Sequence, residues 1–205
     1  MGRSSPGIAR DIWAVSAVWL LLAGVCLAQG GDAEKDFAFA EGLYGQESYK
    51  LAAEKFARFA EQYPAHANTP LALFRAGECN YRLGSYEDAA RYFERVVKEF
   101  PAKPEAQPAW LWLGDTRYQL KQYAEAVAAY EALLRDFPQS EHAPRAAYWR
   151  AESYYHLGEY EKAIAAYRDA LQRKPGEEET AYALYSIGLA HLQLRQPGEA
   201  AKALS

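Results

Sequence analysis

Cysteine is almost missing from this chain: 205 residues contain two, Cys26 and Cys79. Cys26 lies at the end of an N-terminal apolar run, so the body of the protein holds one thiol. A single thiol cannot close an internal disulfide, even in an oxidising compartment. An excess of positive charge is missing too. Twenty-three Lys and Arg face 27 Asp and Glu, for a net charge of −4. That leaves no electrostatic footprint for a phosphate backbone, and nucleic acid is not an expected partner. Alternating β-branched runs are absent, which excludes a sheet and makes the chain all-α. There is no glycine-rich phosphate loop, nucleophile elbow or pair of catalytic carboxylates. The four histidines, His66, His142, His156 and His191, share no metal-ligand spacing and have no cysteine neighbour. No cofactor, metal or enzymatic activity is expected.

Aromatics, by contrast, are plentiful. They make up 14% of the chain, with 16 tyrosines, too many for a disordered polypeptide. The N-terminus has a character of its own. Arg3 and Arg10 precede an apolar run from Ile12 to Val25, interrupted only by Ser16 and Gly24. These 14 residues suit the apolar region of a secretory signal and are short for a membrane span. Cys26-Leu27-Ala28 then offers a small-x-small cleavage site. Residues 1–28 read as a signal peptide, and 29–205 as the mature chain, periplasmic or secreted. The alternative is an uncleaved N-terminal anchor; membrane contact is otherwise expected only through a partner. A lipid on Cys26 is disfavoured, because Val25 stands where a lipoprotein carries a small residue.

Beyond Gln29 the sequence repeats every 37 residues. Pro64, Pro101, Pro138 and Pro175 keep that spacing, as do Phe56, Phe93, Tyr130 and Tyr167, and Ala52, Ala89, Ala126 and Ala163. Tyr49, Tyr86, Tyr123 and Tyr160 form a further column, and Ala40, Gly77, Gly114, Ala151 and Gly188 a column of small residues. Each unit reads as two helices. In Leu71–Leu83 the positions Leu73, Ala76, Gly77 and Tyr81 mark one helical face. Gly84 ends that helix, because glycine tolerates the left-handed backbone of a C-terminal cap. Ser85, with Asp88 three residues on, has the spacing of a capping box that opens a second helix. Ala89, Phe93, Val96 and Val97 form its apolar stripe, and Pro101 stops it. The small and Ala columns let backbones approach, and the aromatic column fills the gap toward the next unit. No pair buries its apolar face alone, so the units must stack.

The pattern Trp110-x2-Leu113-Gly114, Ala126-x3-Tyr130 and Pro138 resembles the tetratricopeptide repeat. The resemblance covers about residues 33–205 and implies a right-handed superhelical solenoid of antiparallel helix pairs. Units fall at about 33–66, 70–103, 107–140 and 144–177, with a partial one at 181–205. Two departures stand out. The usual period is about 34 residues, so three extra residues are expected to lengthen the first helix or the loop between repeats. The first-helix tyrosine also sits one place late, at Tyr118. The longer period, with Phe137-Pro138-Gln139-Ser140 and Tyr154-Tyr155-His156-Leu157-Gly158-Glu159-Tyr160, is similar to a bacterial envelope subgroup of the family. That subgroup includes the periplasmic protein of the Tol–Pal cell-division system and a lipoprotein of the outer-membrane β-barrel assembly machine. The first carries a coiled-coil segment before its repeats and the second a lipobox, and neither is present here.

The resemblance implies an extended peptide or partner helix bound in a groove lined by the first helix of each pair. Tyr81, Tyr118 and Tyr155 would face it, with Tyr44 before them and Leu192 after. The acids Glu78, Asp115 and Glu152 would line it, flanked by Glu41 and Leu189. Phe74 and Tyr148, in a column with Phe37, Leu111 and Tyr185, lie one turn before the acids. In that reading phenols bond a peptide backbone, and the acids favour Lys- or Arg-bearing ligands. Changing Glu78, Asp115 and Glu152 together to Ala is then expected to weaken binding without lowering the melting temperature. The alternative makes the tyrosines inter-repeat packing and the acids a solvated helix face. Cys79 reads as a small buried residue, and Trp110, Trp112 and Trp149 as packing. The next proline of the series would fall near residue 212, past Ser205. The chain is therefore expected to be a fragment or the N-terminal part of a longer protein. The expected function is a protein- or peptide-binding scaffold in envelope assembly or cell division. The alternatives are a structural subunit of an outer-membrane assembly complex and the regulatory arm of a longer envelope enzyme.

Overall fold

The computed structural model describes residues 31–173 and 176–204. The expected signal segment, Cys26 and Pro175 lie outside the described residues. Helix α1 covers 31–45. It is followed by α2 (Tyr49–Gln62), α3 (Thr69–Arg82), α4 (Tyr86–Glu99), α5 (Ala106–Gln119) and α6 (Tyr123–Asp136). Then come α7 (Ala143–His156), α8 (Tyr160–Gln172), α9 (Glu177–Gln193) and α10 (Pro197–Ala203). No strand occurs among the described residues.

From α2 onward each helix packs on the next in chain order. The first helices of successive pairs, α3 with α5, α5 with α7 and α7 with α9, also touch. Among the described residues from α2 onward, the main contacts run between neighbouring units, which is the quasi-one-dimensional logic of a solenoid. First helices begin at Thr69, Ala106 and Ala143, and second helices at Tyr49, Tyr86, Tyr123 and Tyr160, in register with the sequence period. Pro64, Pro101 and Pro138 follow the C-caps Tyr63, Phe100 and Phe137, whose amides close on Phe59, Val96 and Leu133. Helix α9 departs from the register. It starts at Glu177, with three glutamates in its first turn, where the positive end of the helix dipole favours them.

The small column works through one contact per unit. A Cβ placed on Gly77 would sit 2.6 Å from the Phe93 ring, and one on Gly114 would run into the Tyr130 ring. Phe56, Phe93, Tyr130 and Tyr167 are wholly buried, as are Ala52, Ala89, Ala126 and Ala163. Burial of each such ring contributes roughly 1.5–3 kcal/mol. Phe93 also reaches the next unit, where it stacks on Trp112 at 6.0 Å. Cys79, Thr116 and Ser153 share a wholly buried column. The two hydroxyls return to the carbonyls of Trp112 and Trp149 one turn back, and burial pushes the Cys79 thiol up to about 12.

The turn inside each pair has its own period. Glu47, Gly84, Lys121, Gly158 and Arg195 all have φ between 57° and 75°. Glycine fills this left-handed position twice, and charged residues fill it in the other pairs. The capping box at Ser85 does not form: the serine stands at the N-cap with ψ 66° and makes no side-chain cap bond. The tight left-handed turn instead satisfies the Ser85 amide through the backbone, where it donates to the Asn80 carbonyl.

Candidate partner-binding groove

The first helices lie side by side, so residues 37 apart come together on one face. Each tyrosine of the column Tyr44, Tyr81, Tyr118 is clasped from two sides. On one side is the tyrosine that opens its own second helix: Tyr49 at 5.8 Å, Tyr86 at 5.2 Å and Tyr123 at 5.3 Å between ring centroids. On the other is a residue 31 positions later in the next pair. Arg75 lies 4.5 Å from the Tyr44 ring, Trp112 lies 4.9 Å from Tyr81, and Trp149 lies 5.0 Å from Tyr118. Tyr155 keeps its contact with Tyr160 at 5.4 Å, but the later position is Ser186, which offers it no ring. The tyrosine column is thus a seam between repeats whose rings are half-buried. Burial raises the Tyr118 hydroxyl to about 12.

The acids have internal partners. Tyr130 Oη donates to Asp115 Oδ1 at 2.8 Å, and Arg145 from the next pair binds Asp115 Oδ2. Tyr167 Oη donates to Glu152 Oε1 at 2.6 Å, joined by the Ser186 hydroxyl at 3.2 Å. The residue equivalent to these tyrosines in the second unit is Phe93, which has no hydroxyl. Glu78 instead takes Arg75 Nη1 at 2.7 Å and Tyr44 Oη at 3.4 Å. Arg75 also pairs with Glu41 at 3.3 Å. Burial holds the Asp115 carboxyl above the usual carboxylate range, against the opposing pull of Arg145 and then Tyr130. Burial, followed by the adjacent carboxylate, drives Tyr130 and Tyr167 far above the ordinary phenol value.

This geometry corrects the picture of an acidic line offered to a ligand. Glu78 and Asp115 are buried and neutralised from within, and Glu152 is an acceptor for two hydroxyls. Removing all three must cost stability, because buried hydroxyls and guanidiniums would lose their acceptors. Phe74 is also core, 8% exposed, with its ring 5.7 Å from Phe93.

Two openings lie on the first-helix face. A small cavity of about 40 Å³ is lined by Tyr81, Asp115, Tyr118, Gln119, Tyr130, Arg145 and Trp149. A cleft of about 470 Å³ between α7 and α9 is lined by Arg145, Tyr148, Trp149, Glu178, Glu179 and Tyr182. Tyr81, Asp115 and Tyr118 therefore meet in one cavity and Tyr148 lines the next. Glu78, Phe74, Glu152 and Tyr155 line neither. Sequence reasoning missed Arg145, Tyr182, Glu178 and Glu179, and read Trp149 as packing alone. Only Trp149 carried a periodic signal, as the successor of Arg75 and Trp112. A further cleft of about 610 Å³ lies along α2 and α4, with Lys50, Glu54, Arg58, Glu61 and Tyr92 on its walls. His156 stacks on Tyr123 at 4.8 Å, beside the tyrosine seam. No helix among the described residues is long and apolar enough to cross a membrane.

A family model described as Tetratricopeptide repeat matches residues 37–104, 81–141 and 113–178. No curated protein matches the chain by sequence. Among solved structures, MamA of Desulfovibrio magneticus RS-1 (residues 41 to its end) superposes with a TM-score of 0.68 at 23% identity, covering 83% of this chain and 90% of that one. Another MamA crystal structure gives 0.72 at 21% identity, with coverage of 83% and 87%. YrrB, described as a TPR protein with an unusual peptide-binding site, gives 0.66 at 17%, with coverage of 82% and 80%. At these identities the likeness is one of fold.

Proposed function

The chain belongs to the tetratricopeptide repeat family, and from that premise we propose that it is a non-catalytic scaffold of the bacterial cell envelope. Its first-helix face takes an extended peptide or partner helix, in the service of envelope assembly or cell division. The observation that carries the binding part is the pair of adjoining openings between α3, α5, α7 and α9, walled by aromatic rings and crossed by Arg145. Rings with one polar end suit recognition of a partner surface. The peptide-binding site of YrrB, a protein of the same fold, supports a peptide as the ligand. The envelope part rests on Arg3, Arg10, the apolar run 12–25 and the small-x-small site at 26–28.

Two experiments test the reading. A photo-crosslinking side chain at Tyr148 is expected to capture a partner in envelope extract, while the same group at the exposed Arg91 on α4 captures none. Equal capture from both positions, or none from Tyr148, overturns the groove. Residues 1–30 fused to a reporter active only after export are expected to give signal; a silent fusion overturns the envelope assignment.

A further inference from the structure

We propose that the cleft between α7 and α9 is a subsite for a basic side chain, lysine or arginine, of the bound peptide. The inference rests on the groove reading above and adds the chemistry of its ligand. The rings of Tyr148, Trp149 and Tyr182 supply the walls and Glu178 and Glu179 the charge. Tyr182 is 53% exposed, an aromatic surface open to whatever enters. Arg145, the cation on the wall, is bound to the buried carboxylate of Asp115, so its charge is already balanced. Among the described residues, neither Glu178 nor Glu179 has an ion-pair partner. The α9 dipole contributes only about half a positive charge at its first turn, against two carboxylates.

The occupant follows from these charges and surfaces. A lysine or arginine lays its methylene stem on the rings while its head meets the carboxylates. An acidic side chain would be repelled, and an uncharged one would desolvate the two glutamates without pairing them. The cleft, at about 470 Å³, is within the range of small-ligand sites and has room for a long side chain with its flanking backbone.

The test uses the full chain and a hexapeptide alternating Lys and Gly, capped at both ends, titrated by calorimetry at low salt. Glu178→Gln with Glu179→Gln is expected to weaken binding by about tenfold or more, and Tyr182→Ala by about threefold or more. A control of equal net charge, Glu125→Gln with Glu161→Gln at exposed positions of α6 and α8, should stay within about twofold of the parent. A matching Glu-Gly peptide should not bind. Equal losses in the two double variants would show diffuse attraction and overturn the subsite. So would equal affinity for an uncharged Ser-Gly peptide, or no binding of the Lys-Gly peptide at all. If the Tyr148 crosslink to a partner persists while the Lys-Gly peptide fails to bind, the subsite falls and the scaffold reading stands. If both fail, the groove itself falls.

Discussion

The hydroxyl of Tyr130 donates to Asp115 at 2.8 Å from the second helix of the same pair. One contact joins the aromatic column of one helix to the acidic column of the other, and both side chains are buried. Tyr167 and Glu152 repeat it one unit later.

That contact predicts how the pair responds to mutation. Asp115→Ala leaves the Tyr130 hydroxyl and the Arg145 guanidinium without their acceptor and is expected to cost about 1–3 kcal/mol. Tyr130→Phe removes only the donor and should cost about 1 kcal/mol. The double variant should be less destabilised than the two costs added together, since each change removes the partner of the other. Thermal unfolding of the three variants checks this. Strict additivity would mean that the bond contributes nothing.

Alkaline pH should unfold the protein through the same tyrosines. Their folded pKa values are raised above 10.0. The stability each contributes is fully present below pH 10 and is lost as pH rises from there toward the folded value, because only the unfolded chain releases the proton. The slope is about 1.4 kcal/mol per pH unit for each tyrosine. Tyr130→Phe with Tyr167→Phe should flatten the fall in denaturation midpoint between pH 10 and 11. An unchanged slope would place the titration elsewhere.

Glycines on helices should respond in opposite directions. Gly114→Ala drives a methyl into the buried Tyr130 ring and is expected to cost about 1–3 kcal/mol through overpacking. Gly42 in α1 has nothing near its missing Cβ, so Gly42→Ala should stabilise by up to about 1 kcal/mol through helix propensity. Melting temperatures of the two variants give the comparison directly.

The left-handed turn column offers a second contrast. At Gly84, φ +75°, a change to Ala is expected to cost about 1–2 kcal/mol in steric strain. At Lys121, φ 58°, the change to Gly removes that strain and returns part of the gain as chain entropy. A net stabilisation of about 0.5–1 kcal/mol is expected. Loss of stability in both variants, measured by denaturant titration, would contradict the shared geometry.

Much of this fold was readable from spacing. Proline, aromatic and small residues recurring every 37 positions pointed to stacked helix pairs, because each repeat solves the same packing problem with the same residue sizes. Gly84 and Gly158 disclosed two of the left-handed turns. Glu47, Lys121 and Arg195 carry no such chemical signal, and only their place in the period points to them. The early start of α9 at Glu177 escaped the period, since three consecutive acids extend the helix backwards past the register.

The site was less legible, for a physical reason. Whether an acid on a helix faces solvent or a hydroxyl depends on what the neighbouring helix places opposite it. Asp115 meets the Tyr130 hydroxyl 15 residues later and Arg145 from the next pair 30 residues later. The family resemblance, carried along the sequence period, pointed these acids toward a ligand, with a solvated helix face as the alternative. By itself, the sequence determined the helix pairs and their stacking, set by local period and side-chain volume, while the packing of each ring on the glycine of its own pair emerged only in the structure. Only the tertiary structure decided which charges neutralise one another inside the stack and which, at Glu178 and Glu179, stand in an open cleft. Coulombic and hydrogen-bonding partners are chosen by distance in space, and the crossing of neighbouring repeats sets those distances.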